Sequence, residues 1–251
     1  MRAFLVVALL GCVAGCGPSP PPADQSEAPR SVVESPEYAA RSLAGYDVVT
    51  IIVDGLRADR VEPETMPFLS AFANESLRFS DAASNSSFVL QSLASFFTGR
   101  PPTAGGTIGA YEAEPHDQTR AIAQYFADAG YYTGLLANHP LIQGTGFTKG
   151  FEEIEIARPN ETLDDAHLVQ RATEFLEDAG DDRVFLYVHL AGVLASPLCA
   201  SDPAEDVDGP LHVARFAEHY ATAFPPSQDR LDATVAAYDA AMRMADQHIQ
   251  A

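Results

Sequence analysis

The chain of 251 residues has little positive charge: it contains 15 Lys and Arg against 35 Asp and Glu, for a formal net charge of −20. This balance argues against binding of DNA or RNA through a broad basic surface, because neutralising phosphates requires Lys and Arg. Only three cysteines are present, and these cannot form a disulfide framework. Hydrophobic residues nevertheless make up 47% of the chain, so the sequence predicts a protein with a buried core and not a disordered one.

The N-terminus lacks an apolar run long enough to span a membrane, which takes about 20 residues. Residues 3–13 are apolar over the length typical of a signal peptide. They lead into the sequence VAGC at residues 13–16, which resembles the bacterial lipobox, where cleavage precedes a cysteine that is then diacylated. We therefore interpret residues 1–15 as a lipoprotein signal peptide and Cys16 as the site of lipid attachment. The sequence LLGC at residues 9–12 also fits the pattern, but it would leave a very short apolar run, so Cys16 is preferred. The other alternative is an ordinary signal peptide with an incidental cysteine.

A lipid on Cys16 predicts an exported protein that is anchored to the membrane of a bacterial cell envelope. Gly17, directly after the cysteine, offers no acidic retention signal, which favours the outer membrane of a Gram-negative cell. Residues 16–42 are rich in Pro, Ser and acidic residues and have little to bury, so we interpret them as an extended tether. The folded domain is then expected over residues 43–251.

The expected domain alternates strand-like and helix-like segments. The β-branched run at 47–53 and the apolar run at 184–188 predict strands that are buried on both faces of a sheet. Residues 131–137 predict a further strand between them in the chain. The order β-α-β-α-β predicts an α/β fold with a mostly parallel sheet sandwiched by helices. Apolar spacing and capping residues predict these helices: one near 122–129 with Asp117 as its N-cap, one that opens with a capping box of Thr162 and Asp165, and one from Leu231 almost to the C-terminus.

The first predicted strand leads directly into Asp54. Ligands of open α/β sheets bind at the carboxyl ends of the strands, and a carboxylate at that edge is a good ligand for a hard cation. The alternative, of equal weight on these grounds, is that Asp54 caps the turn that follows. Position alone therefore makes Asp54 a candidate metal ligand.

Four segments follow one another in a characteristic order: YDVVTIIVDGLRADR at 46–60, TMPFLSAFA at 65–73, LRFSDA at 77–82 and SLASFFTG at 92–99. They resemble an opening strand, a first helix, a following strand and the end of a nucleophile-bearing helix in the sulfatase family, within the alkaline-phosphatase-like superfamily. The similarity continues to the C-terminus and implies an alkaline-phosphatase/sulfatase-like fold.

The resemblance implies metal-dependent hydrolysis of sulfate or phosphate esters. In this chemistry carboxylates hold a divalent cation, and the cation that the resemblance implies is calcium. An oxygen nucleophile attacks from a helix N-terminus. Asp54 matches a metal carboxylate of the family. The position of the nucleophile falls on Val89, which has no atom that can attack. Gly55 stands where many relatives have a second carboxylate, and Asn138 stands roughly where they have a lysine.

Other positions also depart from the family pattern. After His189 many relatives have Asp-Pro-His, whereas this chain has Gly-Val-Leu at 192–194. The strand that carries the other metal carboxylate of the family would come after the last helix, so the resemblance implies a sheet that is C-terminally incomplete. We interpret His189 as a buried core histidine, Ser86 and Ser87 as helix caps, and Ser92 as a packing residue.

These departures predict a membrane-anchored sulfatase-like protein that is catalytically inactive or a fragment of a longer gene product, with no assignable catalytic residue. One alternative is an active sulfuric-ester hydrolase with an atypical site. The other is a non-catalytic surface protein that binds anionic glycans or a protein partner. In each case the expected partners are a membrane, through the lipid, and a sulfated glycan or sulfate ester, but no nucleic acid.

Overall fold

A computed structural model of the chain describes residues 4–10, 45–79, 82–86, 88–105, 119–139, 142, 146–157, 164–193 and 228–251. Cys16, Ser87, Asp117 and Thr162, together with the tether at 16–42, lie outside these residues. Within them, no helix is long and apolar enough to cross a membrane.

Five strands form one parallel sheet. They are β1 (Phe4–Leu10), β2 (Asp47–Val53), β3 (Tyr132–Ala137), β4 (Glu153–Ile156) and β5 (Val184–Leu190). Their order across the sheet is β1-β2-β5-β3-β4, and every neighbouring pair is parallel. The predicted α/β fold and its three apolar strands are confirmed, because each predicted run coincides with a strand to within two residues.

The helices are α1 (Pro67–Asn74), α2 (Val89–Thr98), α3 (Pro102–Gly105), α4 (Ile122–Asp128), α5 (Asp165–Asp178) and α6 (Gln228–Gln250), with short 3₁₀ turns at Ala58–Arg60 and Gly146–Thr148. Residues 77–79 have no regular secondary structure, so the strand expected at 77–82 is wrong there.

Helices cover both faces of the sheet, because successive side chains of a strand point to opposite sides. Leu186 and Val188 of β5 belong to a buried cluster with residues of α1, α5 and α6. Phe185 and Tyr187 of the same strand belong to a second cluster with α2 and α4. Every residue of β5 is buried, as a strand between two helical layers requires.

Two helix caps differ from the sequence-based expectation. Helix α4 begins at Ile122, where the side chain of Gln124 accepts a 2.9 Å hydrogen bond from the N–H of Ala121; Asp117 lies too far upstream to be its cap. The cap of α5 is Asp164, whose carboxylate accepts a 2.6 Å hydrogen bond from the N–H of His167. Thr162 is therefore not the capping residue, because the chain enters the helix two residues after it.

The predicted apolar stripe of α6 is right only in its second half. Met242 is fully buried and Tyr238 packs against the same cluster. Leu231 and Val235 are 43% and 45% exposed, so the first turns of the helix do not pack on the sheet among the described residues.

The strand β1 comes from the segment interpreted as a signal peptide. It pairs with β2 in register over seven residues, from Phe4 opposite Asp47 to Leu10 opposite Val53. The structure is that of the uncleaved chain, so cleavage before Cys16 stays a prediction.

Candidate functional site

Three chemically active side chains meet at the carboxyl edge of the sheet. Asp54 follows β2, His189 is the last residue but one of β5, and His139 comes two residues after β3. The three strands are neighbours in the order β2-β5-β3, so their ends lie side by side. Backbone hydrogen bonds join the strand ends. The N–H of Asp54 donates to the carbonyl of Leu190 at 2.8 Å, and the N–H of Asn138 donates to the backbone carbonyl of His189 at 2.9 Å.

Both imidazoles approach the same carboxylate oxygen. The Nε2 atoms of His139 and His189 lie 3.6 Å and 3.7 Å from Oδ2 of Asp54. The three residues are only 2%, 1% and 8% exposed, respectively. The other ring nitrogen of His189, Nδ1, lies 3.1 Å from the hydroxyl of Tyr187. Tyr187 is completely buried. We call Asp54, His139 and His189 the strand-end cluster.

The charge states of the strand-end cluster follow from its burial. Burial raises the pKa of Asp54, but the adjacent imidazoles, His189 above all, and the N–H of Gly55 lower it, and the lowering prevails. Burial lowers the pKa of His139 to about 4, an effect that His189 increases and Asp54 opposes. At neutral pH the cluster therefore has an ionised carboxylate beside an uncharged His139.

Asp165, the first residue of α5, ties the ends of two of these strands together. Its carboxylate accepts hydrogen bonds from the N–H groups of Ala191 at 3.1 Å and Gly192 at 2.9 Å, directly after β5. It also accepts a 3.3 Å hydrogen bond from the side chain of Asn138, directly after β3. Because His189 and His139 stand next to these anchored residues, Asp165 helps to set their positions.

Tyr238 of α6 holds the turn that follows Asp54. Its hydroxyl donates to the carbonyl of Gly55 at 2.8 Å and accepts from the N–H of Arg57 at 2.9 Å. Gly55 has a φ of 79°, a left-handed conformation that favours glycine over a residue with a side chain. A carboxylate in its place, as many sulfatases have, would strain this turn.

The expected nucleophile position lies at the start of α2. Val89 is the first residue of the helix and packs against the cluster of Ile52 and Tyr187. The serines nearby bond to one another and to the chain around them. Ser86 accepts a 3.0 Å hydrogen bond from the N–H of Phe88 and donates to Gln91 at 2.6 Å, while Ser92 donates to the carbonyl of Ser86 at 3.1 Å.

Sequence reasoning placed Asp54 at this edge but missed its two histidines. His189 is buried, as we expected of a core residue, yet its Nε2 faces Asp54 and not an apolar wall. His139 follows directly after Asn138, and the sequence-based reasoning gives it no role. Both histidines lie at or just after the end of a predicted strand. This position was the one feature of the sequence that could have predicted that they lie near Asp54.

The residues around Asp54 do not fit calcium, the cation that the family resemblance implied. Calcium takes six to eight oxygen ligands, whereas the side chains that face Oδ2 of Asp54 offer two imidazole nitrogens. Across the described part of the chain, no group of three His, Cys, Asp or Glu side chains could hold a metal ion.

Several solved structures share the fold of this chain at low sequence identity. The C-terminal periplasmic domain of EcEptC from Escherichia coli, in complex with Zn, is 15% identical, with 80% of this chain and 56% of that chain covered and a TM-score of 0.53. A Bacteroides thetaiotaomicron protein from a core genetic locus for the metabolism of multiple glycosaminoglycans is 13% identical, with coverages of 81% and 56% and a TM-score of 0.54.

A third structure, BT4656 in complex with its substrate D-glucosamine-2-N,6-O-disulfate, is 14% identical, with 81% of this chain and 54% of that chain covered and a TM-score of 0.50. The chain thus spans about half the length of the solved structures that it matches. At these identities the likeness concerns the fold. A comparison with curated proteins found no match.

The family of the chain is shown by its sequence, because the structural likeness alone concerns only the fold. The sulfatase family model matches residues 46–251, which include every strand of the sheet except β1 and all three residues of the strand-end cluster. The chain belongs to the sulfatase family.

Proposed function

We propose that this chain is an exported, lipid-anchored sulfatase-family protein that does not hydrolyse sulfate or phosphate esters by a covalent route. Val89 carries the proposal. A covalent intermediate requires a side-chain atom that attacks sulfur or phosphorus, and the residue at the nucleophile position has only methyl groups, which pack into the core.

The hydroxyls near Val89 are poor replacements. Ser86 bonds to the N–H of Phe88 and to Gln91, so it orders the entry into the helix. Ser92 lies one turn inside α2 and bonds to the carbonyl of Ser86. Activation of a serine as a nucleophile needs a base within hydrogen-bond reach. Among the described residues, the partners of these two hydroxyls are a backbone carbonyl, an N–H group, a side-chain amide and another serine.

Turnover assays test the inactivity. The full chain is assayed with aryl sulfates, aryl phosphates and glucosamine disulfate in the presence of calcium, manganese or zinc. We expect no turnover above background, no change in Asp54→Asn, and no gain in Val89→Ser, because a nucleophile alone does not restore groups that act as a unit. Metal-dependent turnover that Asp54→Asn abolishes would instead establish an active hydrolase with an atypical site.

Metabolic labelling tests the anchor and the localisation. A fatty-acid analogue should label the wild-type protein in a Gram-negative host and should not label Cys16→Ala. The matched control is Cys12→Ala, which should keep the label because Cys12 lies inside the segment to be removed. Label that persists in Cys16→Ala would refute the anchor, and separation of the two membranes shows which one carries the protein.

A further inference from the structure

The two edges of the sheet are protected to different degrees. At one edge, β4 has only four residues, and two of them are Glu153 and Glu155. The carboxylate of Glu155 pairs with Arg171 of α5 at 3.0 Å. A short edge strand with charged side chains discourages a further strand from pairing with it. This edge is therefore a poor place for another polypeptide to add.

At the opposite edge lies β1, and β2 stands next to it. After Asp47, whose carboxylate accepts a 3.0 Å hydrogen bond from the backbone of β5, β2 has no charged residue. Val49 and Val53 pack in one buried cluster, and Ile52 packs in the cluster on the other face of the sheet. A strand beside β2 therefore meets apolar surface on both of its faces, which favours a strand that is apolar throughout.

The register of β1 shows which kind of strand this edge accepts. Its seven residues are all apolar, and they run parallel to β2 from Phe4 opposite Asp47 to Leu10 opposite Val53. Across the ranges that the structure describes, no other strand pairs with this side of β2. Cleavage before Cys16 would remove β1, and an edge whose N–H and carbonyl groups lack partners is a template for another strand.

We propose that the processed chain binds an extended apolar segment of another polypeptide at the edge of β2, and that this segment lies parallel to β2 in the place of β1. Main-chain hydrogen bonds hold such a segment, and the apolar surface on both faces selects a strand without charges. The removal of β1 in the cell rests on the lipoprotein processing proposed above, whereas the ability of the edge to bind a strand does not.

The register also determines which backbone groups make the contact. The N–H of Asp54 donates to a carbonyl of β5 at 2.8 Å, and the peptide groups of successive residues in a strand point to opposite sides. Ile51, three residues earlier, therefore directs its N–H and carbonyl toward β1. Because Ile51 stands opposite Ala8, its N–H meets the carbonyl of Val7 and its carbonyl meets the N–H of Leu9 in a parallel ladder.

Peptide binding to a chain that is cut after folding tests the proposal. The full chain carries a protease site in the tether at 16–42, so it folds first, and cutting then makes β1 a separate fragment that a probe can replace. The probe is a fluorescent peptide with the sequence of residues 3–11 and a short lysine tail for solubility. We expect it to bind the cut chain with a Kd of about 10 μM. The uncut chain should bind it at least about tenfold more weakly, since the attached β1 competes intramolecularly.

Two N-methylated probes test the orientation of the bound strand. Methylation at Val7 and Leu9 removes the N–H groups that face β2, so this peptide should bind at least about tenfold more weakly. Methylation at Val6 and Ala8 alters N–H groups that point away from β2, so this matched control should bind like the unmodified probe. Non-specific adsorption of an apolar peptide would be the same for both, and equal binding of the two would overturn the proposal.

A variant of the chain gives an independent measurement. Ile51→Pro removes the N–H that faces the edge and leaves the side toward β5 intact, so it should weaken probe binding by at least about tenfold. Ile51→Ala is the matched control, because it shortens the same side chain but keeps the N–H, and it should bind like the wild type. If Ile51→Pro does not fold, the two methylated probes still decide the outcome.

The other occupants of the edge give different results. Probe that does not bind, or a cut chain that pairs with a second copy and is not returned to the monomer by the probe, would overturn the proposal. A missing lipid in the labelling experiment would refute the anchor alone, because the protease cut does not depend on processing in the cell. The two failures are therefore distinguishable.

Discussion

The carboxylate of Asp246 accepts a 2.8 Å hydrogen bond from the backbone N–H of Leu69, so a residue near the end of α6 caps the first helix of the domain. Its second oxygen accepts from the N–H of Phe68 at 2.9 Å. Helix α1 has no side-chain cap of its own, because Met66 stands at its N-cap position. The first-turn N–H groups of α1 therefore depend on a residue 177 positions later in the chain.

This relationship predicts the effect of Asp246→Ala. The change removes both acceptors from a residue that is 2% exposed and leaves two N–H groups unpaired, which should lower the free energy of unfolding by about 1–3 kcal/mol. Urea denaturation measures it. Asp229→Ala, at an exposed position in the first turn of the same helix, is the matched control and should change stability by less than about 0.5 kcal/mol. Equal effects of the two variants would contradict the cap.

Gly192→Ala should destabilise the domain, because the added Cβ would lie 2.5 Å from Oδ2 of Asp165. We expect a loss of about 1–3 kcal/mol in urea denaturation, as for other substitutions that overfill a packed site. In an Asp165→Ser background the shorter side chain removes the clash, so the same change should cost less. Additive effects of the two substitutions would show that the close approach is not the cause.

Tyr238→Phe should loosen the turn after Asp54 without disturbing the sheet. The change removes the only atom through which Tyr238 bonds to Gly55 and Arg57, at a cost of about 1 kcal/mol. Hydrogen exchange should show a faster amide at Arg57, while β5 stays protected. Tyr125→Phe is the control, since Tyr125 is 58% exposed and should leave exchange unchanged. An Arg57 amide that is equally protected in Tyr238→Phe would refute this role.

The sequence predicted the sheet far better than the site. The strands at 47–53 and 184–188 are long apolar runs, and such runs report burial directly. The strand-end cluster depends instead on β5 lying between β2 and β3, which is not the order of the chain. His139 and His189 are 50 residues apart in sequence, and no local sequence pattern predicts that the strands before them are neighbours in the sheet. The predicted capping box of α5 was wrong for a related reason: Thr162 and Asp164 are both residue types that cap helices, and their identity alone does not tell at which one the helix begins.

Glu155 should make the stability of the domain depend on pH. Burial raises the pKa of its carboxyl, but hydrogen bonds from His167 and Arg171 outweigh burial and leave the pKa below its ordinary value of 4.5. A lowered pKa in the folded state stabilises the protein above the pKa of the unfolded state, and this contribution is lost as the pH falls through the folded pKa. Glu155→Gln should therefore be less stable than wild type at neutral pH and nearly equal to it at pH values well below 4.5. In an Arg171→Ala background the difference at neutral pH should shrink, and a difference that is independent of pH would refute the linkage.

Cleavage of the chain before Cys16 would remove the strand β1. β1 pairs with β2 over seven residues, and a strand without its neighbour exposes unpaired N–H and carbonyl groups. A chain that lacks residues 1–15 should therefore show faster amide exchange in β2 than the full-length chain and should self-associate more readily in ultracentrifugation. β5 lies between β2 and β3 and is the internal control, so its exchange should not change. Equal exchange of β2 in the two chains would show that β1 does not protect this edge in solution, and faster exchange of β5 as well would indicate a general loss of stability instead.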